Sequence, residues 1–343
     1  MSGEKSAGSI RRVLVIFPGA LGDLMCLMPA LGAISRRYPG ASVELMARLE
    51  LARLVAGRSV VVRGHSIDAR EVSELFADGA AGGARRFFGE FDRVYSFFAS
   101  DDLRFRERLA AATDGEVSFH PFRPGGEGHV SAGYLKAIGG GDPQMDVRLE
   151  PTPDDLAAGA RVLAESNCDS SDFIVIFPGS GSPGKNWAAE KFAALAVKLA
   201  KRSEILRCAD SALNDTRGGA GLNDTGARPN GGGGRCVIVL GPAESSMEPV
   251  FREAGVPVLK DLDLPTVAAV ARLASAFVGN DSGVSHLAAA VGAPGVVIFG
   301  PTDPVRWRPR GSQICVLRRE PIDSIEVGEV ASAISKFVAQ RQR

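Results

Sequence analysis

Short apolar runs alternate with longer stretches whose apolar residues recur every three or four positions, the pattern of buried strands followed by helices. In the first half Val13 to Phe17 reads as a strand, Ser42 to Met46 as the next and Arg93 to Phe98 as a later one. Between the first two, Leu24, Leu27, Met28, Leu31 and Ile34 mark one helix face. Pro29 lies inside that pattern and predicts a late start or a kink. The second half repeats the plan: strand Phe173 to Phe177, a helix around Ala188 to Ala200, then strands Cys236 to Leu240, Ala276 to Asn280 and Gly295 to Phe299. Strands alternating with helices predict parallel, doubly wound sheets.

At 343 residues the chain has room for two such domains. Pro143, Pro151 and Pro153 punctuate the polar stretch between them. The predicted division is a first domain over 1–150, a second over 151–325, and a C-terminal helix within 326–343 that packs back toward the first domain. From about 203 to 235 the chain turns to glycine, asparagine and aspartate, with LNDT at Leu213 and again at Leu222. It has almost nothing to bury, which predicts a mobile insertion.

One pentapeptide, VIFPG, occurs twice, at Val15 to Gly19 and at Val175 to Gly179. Each copy ends the first strand of its half at a glycine turn before a helical pattern. In sheets of this kind ligands bind beyond the carboxyl ends of the strands, so these turns and their neighbours are where chemistry is expected.

Composition narrows the classes. Lysine plus arginine and aspartate plus glutamate each number 40, without the basic excess of a nucleic-acid binder. The 5 cysteines are scattered and lack metal-ligand spacing, reading as reduced thiols. Arg11 and Arg12 precede an apolar run, but Pro18, Gly19, Gly22 and Asp23 break it well short of a membrane span. A cytoplasmic protein is expected.

The stretch GSGSPGKN at Gly179 to Asn186 approaches the nucleotide-binding P-loop, yet Asn186 stands where a magnesium-binding hydroxyl is required and Pro183 removes a backbone donor. Ser180, Ser182 and Lys185 around a glycine turn can still hold a phosphate without metal, or form an ordinary solvated turn. Asp23, in GALGD, reads either as a helix N-cap or as a general base. That stretch is not the dinucleotide fingerprint of a dehydrogenase. In GNDSGVSHLAAAVGAP, Asp281 or Ser282 can cap a helix, Gly283 permits close backbone approach to an anion, and His286 follows one turn in, where a partly buried helix residue is the plain reading. Glu244 can favour a helix N-terminus or accept ribose hydroxyls.

GALGDLMCLMPAL, PGSGSPGKNW, GNDSGVSHLAAAVGAP and GPTDP, in this order, resemble glycosyltransferase family nine, the ADP-heptose:lipopolysaccharide heptosyltransferases. The resemblance spans nearly the whole chain apart from the glycine-rich insertion. It implies a GT-B fold, two Rossmann-like domains facing a central cleft, with acceptor bound by the first and nucleotide sugar by the second. It implies inverting, metal-independent transfer of heptose from ADP-heptose to a lipopolysaccharide inner-core or lipid-linked glycan acceptor, with no cofactor and with transient contact at the inner face of the inner membrane. Asp23 matches the family's base, with Gly19 and Gly22 in the acceptor-side loop. Lys185 matches the phosphate-binding lysine, Glu244 falls near the nucleoside-binding acid, and Asp281, Ser282, Gly283 and His286 match the donor motif. Ala188 departs from the proline common after the tryptophan. The alternatives are an inverting transferase using another nucleotide sugar on a cell-envelope glycan, and a non-catalytic GT-B module that only binds nucleotide or glycan.

Overall fold

The computed structural model describes residues 10–78, 82–140, 148–168, 172–201 and 236–341, with the side chains of 339–341 left aside. The insertion expected at about 203–235 lies outside them. The chain divides into two compact units. The first runs to Thr152 and takes in Ala290–Gly292 and Val305–Gly311; the second starts at Pro153 and holds the remainder.

Unit 1 contains strands β1 (Arg12–Ile16), β2 (Ser42–Ala47), β3 (Val61–Ser66), β4 (Arg93–Ser96) and β5 (Glu116–Phe119). Their order is β3-β2-β1-β4-β5, and every pairing is parallel. Unit 2 contains β6 (Ile174–Phe177), β7 (Cys236–Leu240), β8 (Val258–Lys260), β9 (Ala276–Asn280), β10 (Gly295–Phe299) and β11 (Ile314–Arg318), ordered β11-β10-β9-β6-β7-β8 and again all parallel. Counted from its own first strand, each sheet has the Rossmann order, which reverses beside that strand: between β1 and β4, and between β6 and β9. The two VIFPG copies end β1 and β6, so the repeated sequence marks the same topological position twice.

Strands β1, β6, β7, β9 and β10 are apolar because they are buried: their residues are sealed from solvent, with Arg12 alone half-exposed. The core of unit 2 gathers Ile176, Trp187, Phe192, Ile238, Phe251 and Ile298. One core of unit 1 gathers Leu14, Ile16, Met46, Phe88, Phe91 and Phe105. The first helix runs from Leu21 to Arg37, straight through Pro29. The late start expected from that proline does not occur. The C-terminal helix, Val327–Arg341, packs against β9 and β10 and buries Val330, Ala331 and Ile334 in the second core. Its apolar face is thus used inside unit 2, where the sequence sends it toward the first domain. Among the described residues, no helix is long and apolar enough to cross a membrane.

Candidate active site

In unit 1 the chain leaves β1 through Phe17, Pro18 and Gly19 and enters the helix at Leu21. Ala20, not Asp23, is the N-cap, and Asp23 sits three positions further on. Its side chain turns back so that Oδ2 accepts a hydrogen bond from the Ala20 amide at 3.3 Å. That satisfies one of the free amides of a helix start and places negative charge where the helix dipole favours it. Gly19 makes this possible, because a Cβ there would lie 2.3 Å from the Phe17 ring and 2.8 Å from Cβ of Asp23. Gly22, read as a loop residue, is the second residue of the helix.

The Asp23 side chain is 6% exposed and is paired with Arg123, whose Nε donates to Oδ1 at 3.3 Å and Nη2 to Oδ2 at 3.1 Å. The hydrogen bond to Asp23, more than the opposing effect of burial, raises the Arg123 pKa above its ordinary value. Arg123 arrives from the loop after β5, 100 residues away, and carries no motif or periodicity by which the sequence would announce it. Its guanidinium carbon lies 5.1 Å from the Phe122 ring centre and 5.6 Å from that of Trp307. Tyr134 is fully buried and its hydroxyl donates to the Phe122 carbonyl at 3.0 Å, while burial pushes its phenol pKa up.

In unit 2 the turn after β6 continues into a short 3-10 turn, Pro183–Lys185. The Ser180 hydroxyl donates to the Ser182 carbonyl at 2.7 Å and accepts from the Ser182 amide at 3.3 Å, closing the turn locally. Lys185 Nζ reaches across the switch point to Asp281 Oδ2 at 2.8 Å. Asp281 is 6% and Lys185 34% exposed at the side chain. Two residues read separately as donor ligands are therefore one ion pair, and the lysine charge is balanced by a neighbouring carboxylate.

Asn280, fully buried at the end of β9, ties these turns together. Its side-chain amide donates to the Pro178 carbonyl at 2.7 Å and approaches Asn186 Oδ1 at 3.5 Å, while Oδ1 accepts from the Trp187 amide at 3.1 Å. Its own carbonyl accepts from Ser285 at 2.7 Å, and a Cβ at Gly279 would lie 2.4 Å from that hydroxyl. Asn186, the residue that departs from the P-loop, thus faces another amide. Ser282 is buried beside Ser285, 3.3 Å between hydroxyls, and Gly283 opens the helix Gly283–Ala290. His286 is buried in that helix. Glu244, in the 3-10 turn Pro242–Met247 that follows β7, accepts from the Gly241 amide at 2.8 Å. Its carboxylate fills the space above Gly179, where a Cβ would lie 2.3 Å from Glu244 Cδ.

The candidate donor residues therefore follow β6, β7 and β9, three adjacent strands flanking the switch point. Serine and glycine amides, one lysine and a helix start can hold a polyanion there. Among the described residues, no three or more His, Cys, Asp or Glu side chains are grouped as a metal ion requires.

Two parallel Rossmann-order units with these strand-end sites constitute the GT-B class of fold. Residues 242–332 match the profile of glycosyltransferase family 9 (heptosyltransferase). Lipopolysaccharide heptosyltransferase 1 of Escherichia coli (strain K12) is 21% identical over 95% of this chain and 100% of its own length. Among solved structures, the family 9 glycosyl transferase of Veillonella parvula DSM 2008 has a TM-score of 0.73 at 18% identity, over 98% of this chain and 100% of that one. The E. coli ADP-heptose lps heptosyltransferase II has a TM-score of 0.69 at 17% identity, over 97% and 100%. The chain is thus similar to family 9 glycosyltransferases over residues 242–332 and, end to end, to the E. coli heptosyltransferase.

Proposed function

We propose that this chain is an inverting heptosyltransferase that moves heptose from ADP-heptose to a hydroxyl of a lipopolysaccharide inner-core acceptor, without a metal. What carries the reading is end-to-end similarity to relatives described as lipopolysaccharide heptosyltransferases, joined to a buried carboxylate at the end of β1. In this reading unit 1 binds acceptor and unit 2 binds donor. The acceptor oxygen attacks the anomeric carbon from the face opposite the diphosphate. Its proton passes to Asp23, the new C–O bond forms, and the bond to phosphate breaks with its electron pair leaving on ADP. Lys185 and the amides around Ser282 and Gly283 offset the charge that collects on the leaving diphosphate. In this reading Glu244 accepts ribose hydroxyls.

An acceptor anchored in a lipid makes contact with the cytoplasmic membrane surface part of the same proposal. The test is a panel of nucleotide sugars assayed against truncated lipopolysaccharide cores, with ADP release and product mass as readouts. Heptosyl transfer from ADP-heptose to a core lacking heptose is the expected result. Transfer from another nucleotide sugar alone would replace the donor in this reading. Donor binding without transfer to any core would turn it into a binding module.

A further inference from the structure

A general base is effective only if its oxygen is held on the path of the departing proton. At Asp23 the holding is done by residues that the strand-end motifs do not contain. Arg123 engages both carboxylate oxygens through two different nitrogens, the forked geometry that fixes the plane of a carboxylate as a lysine cannot. Arg123 is itself flanked by two aromatic rings, Phe122 and Trp307. Trp307 lies in the segment Val305–Gly311, which follows β10 in sequence yet belongs to unit 1. Three hydrogen bonds pin that segment beside Arg123: Arg306 donates to the carbonyls of Gly126 at 2.9 Å and Pro124 at 3.1 Å, and His129 Nε2 bonds the Arg308 carbonyl at 2.8 Å.

We infer that Arg123 is a positioning residue for Asp23, and that the pinned Trp307 holds Arg123 to that task. The inference rests on Asp23 being the base. The Arg123 side chain is 55% exposed, and an ion pair with so wet a cation adds little to folding. Its worth is in orientation, and its loss is read in turnover.

The experiment compares Arg123→Ala, Arg123→Lys, Trp307→Ala and Trp307→Phe, alone and, for Arg123→Ala, combined with Asp23→Asn, in the full-length enzyme with ADP-heptose and truncated core. Arg123→Ala is expected to lower kcat by ~10²-fold, the cost of a misplaced catalytic group, with donor KM within about two-fold of wild type. Added ethylguanidine should restore part of the rate, and Arg123→Lys should fall between. Trp307→Ala should lose more turnover than Trp307→Phe, which keeps an aromatic face. In the Asp23→Asn background Arg123→Ala should cost nothing further, because it acts through the group already removed.

A kcat for Arg123→Ala near wild type, or an undiminished loss on top of Asp23→Asn, would overturn the inference. Failure of the base itself looks different, since Asp23→Asn would then turn over normally. Should Arg123→Ala melt many degrees early, Arg123→Lys and the Trp307 pair carry the test at intact fold.

Discussion

The two VIFPG turns share a sequence and a place in their sheets but carry opposite charges. In unit 1 the turn leads to a buried acid, Asp23, and a half-exposed cation comes from far along the chain. In unit 2 the turn itself carries the cation, Lys185, and the buried acid, Asp281, comes from the loop after β9. The glycine is needed in both turns for want of space, but against different neighbours: Gly19 lies under the Phe17 ring and the Cβ of Asp23, Gly179 under the carboxylate of Glu244. In the proposed reaction this duplicated scaffold supplies a proton acceptor at one strand end and an anion cradle at the other. Glycosyl transfer needs those two functions on opposite sides of the anomeric carbon.

The comparison breaks most sharply at Asp23. Asp23→Asn keeps the shape of the side chain but removes its basicity, and should lower turnover by ~10²–10⁴-fold, the usual contribution of a positioned base. Donor affinity, measured by ADP-heptose titration, should be nearly unchanged. Turnover within a few-fold of wild type would leave Asp23 as a residue that only satisfies the helix start.

Next in size is Lys185. Lys185→Ala should reduce kcat/KM for donor by ~10²-fold, the scale of one lost donor to developing charge. Transfer by the unaltered enzyme should continue in excess EDTA. Activity that vanished with chelator and returned with magnesium would show that the cradle needs a metal after all.

What the sequence reveals of this molecule follows from burial. Among the described residues, the seven strands legible in it are the seven inner ones; five of these are near-continuous apolar runs, and β2 and β4 show through Val43, Leu45 and Met46 and through Val94 and Tyr95. The four it hides, β3, β5, β8 and β11, are the four edge strands. β3, VVRGHS, buries only Val61, and β8 has 3 residues. The site divides in the same way. Asp23, Lys185, Glu244 and Asp281 lie where strand meets turn, so local pattern finds them. The Asp23–Arg123 and Lys185–Asp281 pairs span chain separations near 100 residues, and local pattern has no access to that. Arg123, Trp307 and Asn280 matter for what they hold, and a residue of that kind has no spacing rule.

A finer test sets the two glycines against each other. Gly19→Ala meets a buried ring and the backbone-proximal Cβ of Asp23, neither of which can retreat far. Destabilisation of ~1–3 kcal/mol is expected, as for an overpacked core. Gly179→Ala meets the far end of the half-exposed Glu244, which can swing into solvent. Its cost should be smaller, while donor binding should suffer if Glu244 holds the ribose. Chemical denaturation of both variants checks the order, and equal losses would mean that the two turns are rigid alike.

The smallest expected effect is acid sensitivity inside unit 1. His129 caps the helix Val130–Ala137 by accepting the Ser131 amide on Nδ1 at 3.2 Å, while Nε2 bonds the Arg308 carbonyl. That arrangement is the neutral tautomer with its proton on Nε2, since a proton on Nδ1 would break the cap. Burial first, then Arg310, Arg308 and Arg306 nearby, lower the His129 pKa, against the bond to Arg308. The unfolded chain therefore binds this proton more readily, so stability declines as pH falls below the ordinary histidine range near 6.5. Glu44 adds a second step. Burial opposes its charge, but hydrogen bonds from His65 and Arg12 outweigh that and hold its carboxyl below the usual range. Its contribution is intact above about 4.5 and is lost as pH falls through the lowered folded value. The unfolding free energy from urea titration should accordingly fall between pH 7.5 and 5.5 by no more than about 1.4 kcal/mol per pH unit for one proton. His129→Asn, which can still cap but does not titrate, should flatten that drift. An unchanged slope would assign the acid sensitivity to His120, whose pKa burial and Arg93 also lower.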